Sequence, residues 1–130
     1  MNLAVAQPLQ QATSPLLNVD KDQLTFDFRL SVTLGVTESQ AKRKLTRFFM
    51  DEVSLLIHPD DPLLVLVDAE TIYWRFPVIL SLGKQGRLGQ IGEVDVDAQS
   101  GELQLNEERL EEMTHNARIL ARSATLSTDA

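Results

Sequence analysis

Between Thr71 and Leu82 the chain alternates without a break: Ile72, Trp74, Phe76, Val78, Leu80 and Leu82 are apolar and fall on every second position. Successive side chains of a strand point to opposite faces, so this run requires a strand with one face in a core. A helix would scatter the same residues around its circumference. Pro77 interrupts the run on the opposite face. Proline has no N–H to give to a ladder, so the strand is expected to form a sheet edge there, or to bulge. A second alternating run, Leu24, Phe26, Phe28, Leu30, Val32 and Leu34, predicts a strand over Gln23–Leu34 that ends at Gly35. Leu63–Val67 lies between Pro62 and the turn-forming Asp68-Ala69-Glu70, too short a stretch for a helix, and reads as a buried strand. Gly92–Asp97 and Glu102–Leu105 read as a hairpin closed by Ala98-Gln99-Ser100-Gly101.

Two segments carry a helical period instead. Thr37 followed three residues later by Gln40 forms a capping-box pattern. Behind it Ala41, Leu45, Phe48, Phe49, Val53 and Leu56 share one stripe, which predicts a helix over Glu38–Ile57. The following His58-Pro59-Asp60-Asp61-Pro62 reads as a loop. Asn106 is placed to cap a second helix over Glu107–Arg122, with Leu110, Met113, Ala117 and Leu120 inward. Its early glutamates and late arginines suit the helix dipole. The resulting class is α+β: a mainly antiparallel sheet of about five strands, in the order β-α-β-β-β-β-α, with two helices packed on one face. Residues 1–21, rich in glutamine and interrupted by Pro8 and Pro15, read as a flexible tail. Residues 22–122 read as a single domain and 123–130 as a frayed C-terminus.

Composition narrows the chemistry. The 130 residues include no cysteine and two histidines, His58 and His115, which removes disulfides, thiolate nucleophiles and cysteine-bound zinc. The formal net charge of −7 opposes nucleic acid and anionic membrane unless the basic groups cluster. No apolar run approaches the ~20 residues of a membrane span. The stretch Met1–Gln11 has no Lys or Arg and only a short apolar run, unlike a secretory signal, so a cytoplasmic location is expected.

Several groupings of residues bear on function. The acidic residues Asp95, Asp97 and Glu102 around a glycine turn miss the calcium-loop spacing, since glycine comes one place late and Asn106 stands where the closing glutamate belongs. Gly83-Lys84-Gln85-Gly86 has its lysine in the wrong place for a phosphate loop and reads as a hairpin connection. His58 and His115 have no serine beside them in sequence. Asp60 and Asp61 are a carboxylate pair that a metal-dependent hydrolase could use. Lys42, Arg43, Lys44 and Arg47 place four cations on the first helix, a candidate contact for nucleic-acid phosphates or for an acidic protein. Tyr73, Arg75, Pro77 and Ile79 share the outer face of the proline-bearing strand, and Tyr and Arg are the residue types that anchor protein interfaces. A free edge at Pro77 would also offer backbone groups to a partner.

The segment Trp74–Leu82, followed by Gly92–Glu102, carries a resemblance. Val96-Asp97-Ala98-Gln99-Ser100-Gly101-Glu102 resembles the V-D-A-x-T/S-G-E hairpin of PepSY-type domains, with a similar helix-then-strands order before it. The stretch is also similar to small prokaryotic proteins of cyanobacterial type that pair a W-x-x-P-V strand with this hairpin. The resemblance implies a role in binding or inhibiting other proteins and brings no catalytic residues.

These readings converge on one expectation: a non-enzymatic cytoplasmic protein-binding module, an adaptor, inhibitor or antitoxin-like partner, that needs no cofactor. It would use the strand face and edge around Tyr73–Pro77 to bind another protein or a second copy of itself. The alternatives are nucleic-acid binding through Lys42–Arg47 and a hydrolase built on Asp60 and Asp61.

Overall fold

The computed structural model describes residues 2–5, 17–20, 23–27, 29 and 31–129. Its elements are β1 (Asn2–Val5), β2 (Leu17–Asp20), β3 (Gln23–Phe26), α1 (Glu38–Glu52), β4 (Ile57–Pro59), β5 (Leu63–Leu66), β6 (Ile72–Leu82), a 3-10 turn (Gly83–Gln85), β7 (Gly86–Asp97), β8 (Leu103–Gln104) and α2 (Glu107–Asp129). The class is α+β. Five strands lie in the order β1-β5-β6-β7-β8, and β4 pairs β6 beyond the end of β5. Every pairing in this sheet is antiparallel except β1 with β5.

The period-two rule holds over β6. Ile72, Trp74, Phe76, Val78 and Leu80 all face the core, where they meet Ala41, Leu45 and Phe49 of α1 and Met113 and Ala117 of α2. Both helices therefore pack on one face. At the start of α1 the expected capping box is present: Thr37 Oγ1 accepts from Gln40 N–H and Gln40 Oε1 accepts from Thr37 N–H.

The expected strand over Gln23–Leu34 is corrected. Only Gln23–Phe26 is a strand, and it pairs with β2 in a separate two-stranded sheet. Ser31–Leu34 has no regular structure, and Phe28 and Leu30 lie outside the described residues. Alternation specifies a strand with two unlike faces but says nothing about its neighbour. Here Leu24 stays 66% exposed, while Val32, further along the same run, packs against the main core without being in a strand. Within the stretch read as a tail, Asn2–Val5 supply the sheet's outer parallel strand, while residues 6–16 lie outside the described part.

Helix α1 ends at Glu52 rather than Ile57, because Ile57 and Pro59 are drawn into the sheet as β4. The stretch expected as a loop thus begins as a strand. Strand β7 is longer than expected, starting at Gly86, and two register shifts opposite Val78/Ile79 and Leu80/Ser81 let it follow β6. Helix α2 continues past Arg122 to Asp129.

The hairpin motif has a structural reason at almost every residue. Asp97 Oδ1 accepts the N–H groups of Gln99 and Ser100 and closes the turn. Ala98, fully buried, gives its carbonyl to the N–H groups of both Gly35 and Val36. Gly101 has φ +80°, a conformation that favours glycine.

Candidate functional site

Tyr73, Arg75, Pro77 and Ile79 do share the face of β6 that points away from the helices. That face is less open than the sequence suggested. Ile79 is 1% exposed and has no surface to offer a partner. Arg75 is already engaged: its Nε and Nη2 donate to Asp95 Oδ1 and Oδ2 at 2.8 and 2.9 Å, with Glu93 at 3.7 Å. The hydrogen bonds that Arg75 donates to Asp95 hold the Arg75 pKa above its ordinary value, against the opposing effect of burial. Tyr73 and Pro77 are half-buried.

The expected free edge at Pro77 is also corrected. Strand β6 pairs β7 on one side and both β5 and β4 on the other. The proline sits where β4 gives way to β5. The Asp60 N–H donates to the Pro77 carbonyl at 2.8 Å, and Asp60-Asp61-Pro62 bulges past the position where Pro77 lacks its own donor. A broken neighbour, rather than a missing one, accommodates the proline.

The same register brings together a cluster that the sequence does not reveal. His58 stands opposite Ile79, so its Nε2 reaches Ser81 Oγ at 2.8 Å. Arg87 stands opposite Ser81 and donates to Asp60 Oδ2 at 2.5 Å. Twenty-three residues separate His58 from Ser81, and only strand pairing makes them neighbours. A Ser–His pair is the first part of an activated nucleophile, which also needs a third group to orient the ring. Among the described residues nothing bonds the other ring nitrogen, and the nearby Asp60 is held by Arg87.

Asp60 and Asp61 do not act as a pair. Asp60 has its pKa lowered first by the Arg87 hydrogen bond and then by the Asp61 N–H, so it is ionised at neutral pH and is no general acid. Asp61 accepts from Lys42 Nζ at 3.1 Å. Each carboxylate is thus already matched by its own cation.

The basic run on α1 divides in two. Lys42 is spent on Asp61, and Lys44 donates to the Gly101 carbonyl at the β7–β8 turn. Arg43 and Arg47 are exposed, one turn apart, and form no ion pair among the described residues. They line two adjoining surface grooves, with Gln40 and Lys44 beside one and Thr46, Met50 and Asp51 beside the other. Met50 is 53% exposed. Two free guanidiniums over a partly apolar groove form a smaller and more selective patch than four cations on a rod.

No known protein family, curated protein or solved structure matches the chain. No described helix is long and apolar enough to cross a membrane.

Proposed function

We propose that the chain is a non-enzymatic, cytoplasmic protein-binding module whose contact surface is the outward side of α1 around Arg43 and Arg47. The observation that carries this reading is the pair of exposed guanidiniums with no ion-pair partner among the described residues, set over grooves that also present Met50. Arginine beside an apolar side chain suits a protein surface with carboxylates and an apolar anchor. The likeness of the Val96–Glu102 hairpin to PepSY-type domains points in the same direction. Nucleic acid fits this surface less well, because Lys42 and Lys44 are occupied and the net charge of −7 repels phosphates. Tyr73 remains a candidate second contact on the opposite side of the sheet.

The test is capture from the native cell extract with the wild-type chain and with an Arg43→Glu/Arg47→Glu chain in parallel. A stoichiometric protein retained by the first and lost by the second supports the proposal. Equal retention by both removes α1 as the contact. Recovery of nucleic acid that is lost steeply as salt rises replaces a protein partner with a phosphate backbone.

A further inference from the structure

Helices α1 and α2 lie on the same face of the sheet and run in the same direction. Lys44 of α1 reaches the β7–β8 turn at Gly101, and beyond its C-terminus the chain enters β4 beside Leu80. Helix α2 starts after β8, passes Gly92 at Met113 and passes Gly89 at Leu120. Gly89 is opposite Leu80, so both helices ascend toward the same end of β6.

The helical period fixes what each presents to solvent. With Ala41, Leu45 and Phe49 buried, Arg43, Arg47 and Met50 occupy the opposite side of α1. With Met113 and Ala117 buried, the opposite side of α2 carries Glu108, Glu112, His115 and Ile119, together with Glu111, Arg118 and Arg122. All of these α2 residues are exposed, Ile119 by 50%. Among the described residues neither Glu108 nor Glu112 has an ion-pair partner.

We infer that the outward side of this helical layer is a self-association surface, on which Arg43 and Arg47 of one copy meet Glu108 and Glu112 of a second copy. The inference rests on the reading of α1 as the contact surface and names its occupant. Three features carry it. Both pairs are spaced by four residues, a rise of about 6 Å, so two guanidiniums can engage two carboxylates at once. Both halves of the contact lie on one side of each copy, so a twofold arrangement satisfies both sets and closes at two chains. Met50 and Ile119 lie on the same outward sides as the charges and supply exposed apolar surface for the contact.

Sedimentation velocity of the full chain over a concentration series tests this with four samples: wild type, Arg43→Glu/Arg47→Glu, Glu108→Arg/Glu112→Arg, and an equimolar mixture of the two variants. The wild type is expected to form a dimer that weakens as ionic strength rises. Each variant alone is expected to associate at least about tenfold more weakly, and the mixture to regain the dimer because the reversed charges again match. Near-ultraviolet circular dichroism from Trp74 checks that the variants remain folded. A monomeric wild type overturns the inference, as does a dimer indifferent to either reversal or a mixture that fails to recover. A monomeric wild type that still captures a cellular protein through Arg43 and Arg47 overturns self-association alone. Loss of both removes the binding surface itself.

Discussion

The indole Nε1–H of Trp74 donates to the carbonyl of Val36 at 2.9 Å, tying the middle of the sheet to the loop that leads into α1. The same loop is held from its other side, since the N–H groups of Gly35 and Val36 both donate to Ala98. Three elements distant in sequence thus meet at one point: β6, the β7–β8 turn and the entry to α1. Trp74 is 1% exposed, so the bond is shielded from water. Trp74→Phe removes the donor, leaves the Val36 carbonyl short of a partner and opens a small cavity. A loss of about 2–3 kcal/mol in urea-unfolding stability is expected.

Gly35 is required by contact rather than by conformation. A Cβ at this position would lie 2.0 Å from the Gln99 carbonyl oxygen, and the obstacle is backbone that cannot swing aside. Gly35→Ala is expected to lower stability by about 2–3 kcal/mol. Gly83 is the control, because nothing lies within 4 Å of a Cβ there and its φ of +31° is positive. Asparagine tolerates such backbone, so Gly83→Asn should stay within about 0.5 kcal/mol of wild type in the same assay.

Arg75 and Asp95 form a bidentate pair in which Asp95 is the more enclosed partner, with 12% of its side chain exposed against 37% for Arg75. Removing the guanidinium strands a carboxylate with little access to water. Arg75→Ala is expected to destabilise by about 2 kcal/mol, a value held down by the solvent that still reaches Arg75. The Arg75→Met/Asp95→Leu double variant should recover much of that loss. Equal instability of the single and double variants would show that the pair is not the source.

Asp97 links the hairpin to pH. Its carboxylate accepts backbone N–H groups from Ser100 and Gln99, which lowers its pKa below the ordinary 3.8. A lowered folded pKa means that the contribution is fully present above the unfolded value near pH 3.8 and is lost as pH falls through the folded value. Asp97→Asn keeps an oxygen for both donors and cannot titrate. It should therefore be close to wild type at pH 7 and show a shallower loss of stability between about pH 4 and pH 2. Thermal melts across that range provide the measurement.

Much of this architecture is legible residue by residue. The alternation in β6 selects which of its side chains enter the core, because the period of a strand leaves no other arrangement. The Thr37–Gln40 pair marks the start of α1, and the stripes on both helices identify their buried sides. Gly35 was legible as the end of a run but not as the contact point for Gln99, because that requires knowing what packs against it.

Local sequence determined periods, caps and turns, each the product of forces acting within a few residues. Partnership was decided only in three dimensions. The run Leu24–Leu34 has the pattern of a sheet strand, yet its first residues pair with β2 outside the main sheet, and one terminal strand of the main sheet comes from Asn2–Val5. Pro77 suggests an edge, yet the break between β4 and β5 lets it sit on a strand paired on both sides. His58 gains Ser81, and Lys42 and Lys44 are spent on Asp61 and Gly101, while Arg43 and Arg47 form no ion pair among the described residues. A side chain's direction follows from its own backbone, whereas its neighbours follow from the register and packing of segments distant in the chain.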